Sequence, residues 1–511
     1  MLWIFVLQVL VLPCAGAVPQ EQSTALALFY QALNGPLWKD NTNWLSGDPC
    51  APGASWYGLL GRNGVGCTGD IVAINFVDNG LDGTLPEIFS LFNSTERILL
   101  RDDNIRGSMP SSFFLMDSLT DLELANLHLS GTLPTTMGAR STLRSLRVSS
   151  KFLYLGRISG SIPPSIGELT NLEVLQFRYT DLDPTFPPGM SNLTNMVEFN
   201  MYSTMSFPGN PPPGMYPFPD FFCLYPHLQV LAMELTSFSS TLPSCLGTLS
   251  EMYVLKLNAN RLSGEMPTEI GNLEKLILLE VSNNSFEGTV PKEWRGLTRL
   301  TEMRLDRNLL SGTLPPELEK LTMLQTLVIS SNQFSGSFPS EWKTLTRLLY
   351  MYLSSNYLDG SLPTGICGFP EISNAYFDQN RFSGSIPPCY GEISTLKVLT
   401  LASNDLEGVL PSFADSGLLS LIVNSNNLSG SLPYLPKTIV SVAMIGNSLS
   451  GSIPEQWLRD KQLSMLVVLD IQRNALSGSI SPELLRYPYL RNLYVNNNRF
   501  SGHFQSEDAC N

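Results

Sequence analysis

The stretch LKLNANRLSGEMP at residues 255–267 returns as LVISSNQFSGSFP at residues 327–339. Both are copies of one unit, Leu-x-Leu-x-x-Asn-x-(Leu/Phe)-x-Gly-x-(hydrophobic)-Pro, that recurs between residues 252 and 404. A unit this short cannot bury its apolar residues alone, so neighbouring copies must stack. The sequence therefore predicts a solenoid. The aligning asparagines, each 24 residues after the last, are Asn260, Asn284, Asn308, Asn332, Asn356, Asn380 and Asn404.

Each part of the unit has a physical role. Leu255 and Leu257 are two residues apart, which puts both side chains on one face of a short strand. The asparagine turns the chain out of that strand. Because its amide both donates and accepts, stacked asparagines satisfy backbone groups of a buried turn. The segment that ends in proline predicts an extended stretch on the second edge of the repeat, where a backbone donor is not needed.

This unit resembles the leucine-rich repeat in its plant-type form, which is marked by Leu-x-Gly-x-(Ile/Leu)-Pro. The resemblance implies an α/β solenoid, a right-handed superhelix or horseshoe with a parallel β-sheet on the concave face. It also implies a short 3-10 or irregular convex side and a helical N-terminal cap. About 18 repeats then occupy residues 73–505. Residues 506–511 form a short C-terminal end with an incomplete cap.

Residues 1–17 have the features of a signal peptide. An apolar run at residues 2–12, too short to span a bilayer, precedes Ala15-Gly16-Ala17, which resembles a signal-peptidase site. No later stretch is apolar enough to predict a membrane span or a lipid-anchor signal. We therefore expect a chain that is secreted, or held on the extracellular face of the cell surface, and that begins near Val18.

Residues 18–72 precede the repeats and predict a cap. Helical spacing of apolar residues begins after Ser23, a plausible N-cap, and Trp38, Trp44 and Trp56 follow. Such a segment would cover the open apolar end of the first repeat. It resembles the N-terminal cap of plant-type extracellular leucine-rich-repeat proteins. The wording NTNWLSGDPC…SWYG is especially similar to surface proteins of protozoa.

The cap region also contains Gly64-Val65-Gly66-Cys67-Thr68-Gly69, which matches Gly-x-Gly-x-x-Gly. A dinucleotide-binding loop needs a strand before this motif and a helix after it. Here a cysteine-containing loop leads into a predicted strand at Ile71–Ile74. The motif therefore does not predict a nucleotide cofactor.

The N-terminal half carries few ladder asparagines. Asp and Thr replace part of the asparagine's hydrogen bonding, whereas Leu and Lys replace none, so we expect this half to be less regular. A proline-rich insertion at about residues 207–219 excludes helix and central strand. It predicts a stiff surface loop, either a tolerated insertion or a contact for a partner. After Asn79 the ladder positions are Asp103, Leu127, Lys151, Thr180, Thr204 and Thr236.

Seven cysteines remain once the signal peptide is removed. Two pairs are each 22 residues apart, which places their members on adjacent coils of a solenoid with a 24-residue period. A third pair is 17 residues apart within the cap. Such disulfides are typical of an oxidising compartment, and Cys510 is left free or intermolecular. The predicted bonds are Cys50–Cys67, Cys223–Cys245 and Cys367–Cys389.

The sequence predicts chemical modification of an extracellular chain but no catalysis. The histidines, His128, His227 and His503, are too far apart in sequence for a metal site, and the usual hydrolase and phosphate-binding motifs are absent. The net charge of −14 argues against nucleic acid and anionic membranes as partners. We therefore predict no enzyme activity, no cofactor and no metal. Four Asn-x-Ser/Thr sequons predict N-glycosylation at Asn93, Asn192, Asn283 and Asn427.

Side chains two, four and six residues before each ladder position should face the concave surface, because strand side chains alternate. Most repeats carry a mixed set there, but the repeats that end at Asn308 through Asn380 carry tyrosines beside Arg and Asp. Tyr and Arg are favoured anchors in interfaces. We also expect the rings of Tyr352 and Tyr376 to touch. The alternative is that β-favourable aromatics simply cover an exposed sheet. The predicted partner-binding residues are Arg304, Asp306, Tyr350, Tyr352, Tyr376 and Asp378.

A second polar stretch lies on the same face in the N-terminal half. Its alternating charges are typical of a solvated face. Its members are Arg97, Arg101, Asp121, Glu123, Arg147 and Arg178.

The resemblance implies an extracellular recognition or adhesion protein that binds a protein, peptide or glycan. A first alternative is an inhibitor of a secreted hydrolase, and a second is the ectodomain of a membrane receptor kinase. A third is a structural component of a wall or coat. The sequence leaves the ligand and the oligomeric state open.

Overall fold

The computed structural model describes residues 18–49, 55–60, 70–151, 157–203, 216–458 and 463–501. The chain divides into two compact units, residues 1–237 (unit 1) and residues 238–511 (unit 2). The predicted signal peptide, Cys50, the glycine motif at 64–69, most of the proline-rich insertion and the C-terminal end at 506–511 with Cys510 lie outside the described residues.

Unit 1 has an inner sheet of parallel strands in sequential order, which corresponds to the predicted concave sheet. Its first strand is antiparallel and comes from the cap, with Leu59 opposite Ile74. The later strands pair in parallel with a shift of one repeat, as in Ile74 opposite Ile98. The inner strands are Leu59–Leu60, Ala73–Val77, Arg97–Arg101, Asp121–Leu129, Ser145–Ser150, Val174–Leu182, Glu198–Ser203 and Val230–Glu234. Short strands on the second edge are Asp82–Thr84, Asn104–Gly107, Gly131–Thr132 and Ile158–Gly160.

Unit 2 is more regular. Each inner strand has three residues, and in all but the last of them the middle residue is buried while its two neighbours face outward. The inner strands are Val254–Lys256, Leu278–Glu280, Glu302–Arg304, Thr326–Val328, Tyr350–Tyr352, Asn374–Tyr376, Val398–Thr400, Ser420–Ile422, Ser441–Ala443, Val468–Asp470 and Asn492–Tyr494. The predicted extended stretches form parallel strands on the second edge, at Ser239–Ser240, Arg261–Glu265, Ser285–Glu287, Ser311–Gly312, Gln333–Ser337, Tyr357–Ser361, Arg381–Gly384, Asp405–Val409, Asn427–Gly430, Ser448–Gly451, Ala475–Gly478 and Arg499–Phe500.

The predicted 3-10 side is confirmed in both units. Each of the long series of 3-10 helices in unit 2 begins after a repeat proline, such as Pro267 or Pro339, which has extended backbone angles at the N-cap. Proline suits this position because the first backbone N–H groups of a helix have no intrahelical acceptor. The helices are Gly35–Leu37, Phe89–Leu91, Ser111–Leu115, Pro164–Glu168, Pro188–Asn192 and Asp220–Leu224 in unit 1. Those of unit 2 are Ser244–Thr248, Thr268–Asn272, Lys292–Gly296, Pro316–Lys320, Ser340–Thr344, Thr364–Gly368 and Pro388–Glu392, with α-helical turns at Glu455–Leu458 and Pro482–Leu485.

The cap forms around the α-helix Gln20–Ala32. The prediction that Ser23 is its N-cap is wrong, because the backbone N–H of Ser23 already donates to the carbonyl of Pro19 at 3.0 Å, and the helix begins after that proline. The second edge of the first repeat approaches this helix closely. A Cβ atom on Gly83, whose φ is +153°, would lie 2.0 Å from the carbonyl oxygen of Ala32, so only glycine fits there.

The three cap tryptophans form one buried aromatic cluster. The ring centroids of Trp38 and Trp44 are 5.0 Å apart, those of Trp44 and Trp56 are 4.9 Å apart, and Phe76 of the first repeat lies 5.0 Å from Trp38. Each indole N–H donates to a backbone carbonyl, at 2.7, 2.9 and 3.1 Å. Because each buried N–H has an acceptor, the cluster covers the end of the repeats without an unpaired polar group.

The asparagine ladder of unit 2 makes the hydrogen bonds that its amide chemistry predicts. Asn308 donates from Nδ2 to the carbonyls of Leu305 at 3.0 Å, of Val281 at 3.1 Å and of Asp306 at 3.3 Å. Its Oδ1 accepts from the backbone N–H of Phe286 at 3.1 Å. The same pattern recurs at the other ladder asparagines between Asn284 and Asn498. Each amide therefore joins its own turn to the preceding coil.

Ladder position 103 shows what happens when an acid replaces the amide. One oxygen of Asp103 accepts from the backbone N–H groups of Gly80 at 2.6 Å and Leu81 at 2.9 Å, as an asparagine oxygen would. The other oxygen is buried and has no hydrogen-bond partner among the described residues, because it cannot donate as an amide nitrogen does. Burial raises the pKa of this carboxyl, against the three backbone hydrogen bonds that lower it.

The strands of unit 1 are also interrupted, as the ladder sequence predicts. Residues Asp121–Leu129 and Val174–Leu182 each form a strand of nine residues. Both strands contain a register shift immediately before the ladder position, between Leu124 and Leu127 and between Arg178 and Thr180. At Leu127 and Thr180, the absence of the asparagine amide therefore coincides with a bulge in the strand.

The core of unit 2 contains an alternation that the sequence analysis did not identify. One buried position of the 3-10 helix carries, in successive repeats, Ile270, Trp294, Leu318, Trp342, Ile366 and Tyr390. The polar atom of each aromatic residue donates to a proline carbonyl of the preceding repeat, at 3.1 Å in all three cases. Large and small side chains thus interdigitate along the unit.

Candidate partner-binding site

Four of the six predicted partner-binding residues lie on adjacent inner strands of unit 2. Arg304 is in register with Val328, Val328 with Tyr352, and Tyr352 with Tyr376. Tyr350 lies two residues before Tyr352 on the same strand and is in register with Thr326. The alternation of strand side chains therefore brings Arg304 and the tyrosines to one face.

The rings of Tyr352 and Tyr376 stack on each other. Their centroids are 4.6 Å apart and their planes differ by 12°. Contact between these rings was expected from the strand spacing and is confirmed. The amide of Asn374 donates to the Tyr376 hydroxyl at 3.4 Å, which supports the second ring from its own strand. The two rings thus form a wall that is two residues long.

A hollow of about 300 Å³ lies beside this wall. It is lined by Arg304, Thr326, Val328, Tyr350 and Tyr352. Thr326 and Val328 form the floor because their strand lies between the strand of Arg304 and the strand of the tyrosines. Neither floor residue was predicted from the sequence. The available signal was a pair of small side chains at positions where the flanking repeats carry large ones.

Arg304 forms the other wall and remains charged. Its Nε is bonded to Glu302 and lies 3.7 Å from Glu280, which in turn lies 3.2 Å from Lys256. Burial lowers the pKa of Arg304, but the hydrogen bond to Glu302 and the surrounding carboxylates outweigh it, so the net shift is upward. The terminal nitrogens have no hydrogen-bond partner among the described residues. They are therefore free donors at the edge of the hollow.

Tyr352 keeps its proton across the physiological range. Burial raises the pKa of its phenol, and the neighbouring Tyr376 and Tyr350 add to the shift, while Arg304 opposes it. The hydroxyl can therefore donate a hydrogen bond as well as accept one.

The two predicted aspartates hold the sheet rather than line the hollow. Asp378 accepts from the hydroxyl of Ser354 at 3.1 Å, from the hydroxyl of Thr400, and from the backbone N–H of Ala402 at 3.0 Å. Asp306 accepts from the Ser282 hydroxyl. Their carboxylates connect neighbouring repeats beside the site, so a contribution to binding would come through positioning.

The cysteines and sequons can be located for the described residues. Cys367 and Cys389 form a disulfide with their Cα atoms 5.8 Å apart, as predicted from their spacing. Cys223 and Cys245 are also disulfide-bonded. All four sequon asparagines are exposed. The described part of the chain contains no group of three or more potential metal ligands. It also contains no helix with the length and hydrophobicity needed to cross a bilayer.

Comparison with known proteins agrees with this geometry. Residues 299–321 and 323–345 match the sequence model of the Leucine Rich Repeat. No curated protein matches the chain as a sequence. Among solved structures, the plant peptide hormone receptor RGFR1, in complex with RGF2, is 26% identical with a TM-score of 0.64, over 84% of this chain and 78% of that one.

Two further structures have the same fold. The ectodomain of the Arabidopsis receptor kinase HAESA, in complex with an extended IDA peptide hormone, is 25% identical with a TM-score of 0.71, over 95% of this chain and 87% of that one. An LRR protein of Leptospira interrogans is 24% identical with a TM-score of 0.56, over 72% of this chain and 88% of that one. The chain therefore has the leucine-rich-repeat solenoid fold, an architecture that serves ligand binding in both plant receptors.

Proposed function

We propose that this chain is a recognition protein that binds a peptide, or an extended segment of a protein, on the inner sheet of unit 2. The observation that carries the proposal is the hollow between Arg304 and the stacked pair Tyr352/Tyr376. Its floor is made of small side chains, so a ligand side chain has room to enter. Ligand sites typically combine such an apolar concavity with a few placed polar groups.

The ends of the hollow differ in chemistry, which would orient a ligand. The tyrosine wall offers two stacked rings and a protonated phenol, and the opposite wall offers the free terminal N–H groups of Arg304. An apolar or ring-bearing side chain suits the floor and the tyrosine wall. A carbonyl or carboxylate oxygen of the same ligand suits Arg304. The peptide complexes of the two similar plant receptors support a peptide as the ligand class.

The proposal is tested with random 12-residue peptides displayed on phage and selected on the immobilised wild-type protein. For synthetic copies of the selected peptides, Tyr352→Ala and Tyr376→Ala should each weaken binding by about 2 kcal/mol, or about 30-fold in Kd, as expected for aromatic anchors. Isothermal titration calorimetry measures the change. Tyr352→Phe should keep most of the affinity because the ring stack remains.

Tyr357→Ala provides the matched control. Tyr357 is in the same repeat and is 47% exposed, but it lies on the second-edge strand Tyr357–Ser361, where Arg381 covers its ring at 4.9 Å. Its loss should leave peptide affinity unchanged. Peptides that bind the Tyr352→Ala/Tyr376→Ala double variant as tightly as wild type would place the site elsewhere.

We also propose that the protein works outside the cytosol. The disulfide Cys367–Cys389 is typical of an oxidising compartment, and the four sequon asparagines are exposed and accessible to glycans. Protein isolated from its native cells should begin near Val18 and lose mass when N-glycans are removed. Recovery with Met1 retained and with free thiols at Cys367 and Cys389 would contradict this location.

A second candidate is the ligand-binding ectodomain of a receptor. The structural similarity to the receptors RGFR1 and HAESA, over most of this chain, favours it. Transcripts read past codon 511 would decide between a receptor and a secreted binding protein, because a receptor transcript continues into a membrane-spanning segment.

A further inference from the structure

One arginine on the inner sheet of unit 1 differs from the charged residues around it. The N-terminal polar stretch was predicted to be a solvated face, and half of its six charged residues are in ion pairs. Arg101 is bonded to Glu123, and Arg147 lies 3.9 Å from Glu198. Arg97 is exposed to water. Arg178 is half-buried, yet no carboxylate oxygen of the described residues lies within 4.0 Å of it.

Two tyrosine rings surround the Arg178 guanidinium. Its central carbon lies 5.7 Å from the ring centroid of Tyr179 and 5.9 Å from that of Tyr202. These two rings meet edge to face, with centroids 5.0 Å apart. Nε of Arg178 is inaccessible to solvent and has no hydrogen-bond partner among the described residues. At Nε, therefore, the cation meets neither water nor an acceptor from the described residues.

This arrangement leaves the cation under-compensated. Contact with aromatic faces is attractive for a guanidinium, but it supplies no oxygen to the N–H groups. A buried charge without a paired anion is unfavourable for the folded protein. An anionic group of a ligand would pair with the guanidinium and accept from its N–H groups. The attraction would be stronger where the rings exclude water.

The neighbouring strand positions carry donors as well. Ser149 and Tyr202 are in register with Arg178 on the strands to either side, and Gln176 and Asn200 are paired two residues earlier. Burial raises the pKa of the Tyr202 phenol, with further contributions from Tyr179 and Glu234, while Arg178 opposes the shift. The Tyr202 hydroxyl therefore stays protonated and available as a donor.

We propose that Arg178, with Tyr179 and Tyr202, binds a carboxylate, specifically an Asp or Glu side chain of an acidic peptide segment. The planar guanidinium fork matches the two oxygens of a carboxylate. Glu198 and Glu234 lie on the next two strands, at positions where they would repel a dianion more than a monoanion. A carboxylate is therefore favoured over a phosphate or sulfate. This site is independent of the hollow in unit 2.

The probe is a fluorescein-labelled (Gly-Glu)5 peptide, compared with its (Gly-Gln)5 twin by fluorescence anisotropy at low ionic strength. The glutamate peptide should bind the full-length wild-type protein and the glutamine peptide should not. Arg178→Gln should raise the Kd of the glutamate peptide at least tenfold. Arg178→Lys should give an intermediate value because lysine keeps the charge but loses the fork. Tyr202→Phe should weaken binding less than Arg178→Gln.

Arg140→Gln is the matched control, because it removes the same charge from unit 1 at an exposed residue already paired with Asp117 at 2.9 Å. It should leave the Kd unchanged, and unchanged thermal unfolding of Arg178→Gln confirms an intact fold. Equal binding by Arg178→Gln and wild type would overturn the site. So would an equal loss in Arg140→Gln, since it would indicate that the loss follows from the more negative net charge of the protein and not from the site. Displacement of the peptide by inorganic phosphate at lower concentrations than by acetate would overturn the assignment to a carboxylate.

Discussion

Replacing Trp342 with alanine should lower the free energy of unfolding of unit 2 by about 3–5 kcal/mol, the range for removing a large aromatic side chain from a core. Trp342 is fully buried, and its indole N–H donates to the carbonyl of Pro315 at 3.1 Å. The side chains on either side in the stack, Leu318 and Ile366, are too small to fill the space. The substitution therefore leaves a cavity and removes one of the two donors to the Pro315 carbonyl, which still accepts from the backbone N–H of Leu318 at 3.2 Å.

Urea unfolding followed by circular dichroism measures this loss. Trp342→Phe is the control, because it keeps most of the volume and removes the donor, and it should cost about 1–2 kcal/mol. Because each repeat contacts only its neighbours, Trp342→Ala could also uncouple the repeats on either side and broaden the transition. An alanine variant that unfolds at the wild-type urea concentration would mean that the stack collapses to fill the cavity.

Asn332→Ala should destabilise unit 2 by about 3 kcal/mol, since it leaves the buried backbone N–H of Leu310 without an acceptor, at about 1–3 kcal/mol, and removes one donor from each of three backbone carbonyls. The Asn332 amide donates to the carbonyls of Leu305 at 3.0 Å, of Ile329 at 3.1 Å and of Ser330 at 3.4 Å. Its oxygen accepts from the backbone N–H of Leu310 at 3.0 Å. The side chain is small, so lost packing contributes little, and the cost comes from lost hydrogen bonds. Urea unfolding at pH 7 again provides the measurement.

Asn332→Asp distinguishes the contribution of the donating amide nitrogen from that of the accepting oxygen. Aspartate keeps the oxygen that accepts from Leu310 but, when ionised, cannot donate to the three carbonyls. Asp103 shows the direction of the pH dependence, because its pKa is raised in the folded protein. A carboxyl with a raised pKa stabilises the fold when protonated, and this stability is lost as the pH rises through its folded pKa. The Asn332→Asp variant should therefore recover stability on acidification relative to Asn332→Ala. Parallel curves for the two variants would contradict a donor role.

The period made most of the architecture predictable. A fixed interval between Asn260 and Asn404 implies equal coils, and equal coils place the residues of one column on one face. That is why the contact between Tyr352 and Tyr376 followed from sequence position. The 22-residue spacing between Cys367 and Cys389 is nearly one repeat, so it predicted that the two cysteines lie on adjacent coils and can form a disulfide.

The direction in which each side chain of the site points could not be predicted from the repeat pattern. Asp378 and Arg304 occupy adjacent columns, yet Asp378 turns to Ser354, Thr400 and Ala402, whereas Arg304 borders the hollow. The choice depends on which donors the next strand offers, and the repeat pattern leaves those positions variable. The floor of the hollow consists of the small side chains of Thr326 and Val328. Such positions are not recognised when binding residues are predicted from aromatic and charged side chains. Arg178 was grouped with solvated charges because the rings that bury it come from a turn and a neighbouring strand.

The alternation of Trp294, Leu318, Trp342, Ile366 and Tyr390 has a consequence for how the chain can change in length. Loss of 24 residues around Leu318 would preserve the hydrogen-bonded turns, yet it would set one indole directly against another, where a leucine had separated them. Loss or duplication of 48 residues would keep the alternation of large and small side chains at this core position. In this region the unit that can be gained or lost without disturbing the core is therefore a pair of repeats. Natural variants and designed proteins whose length changes between Ile270 and Tyr390 should differ from this chain by even numbers of repeats.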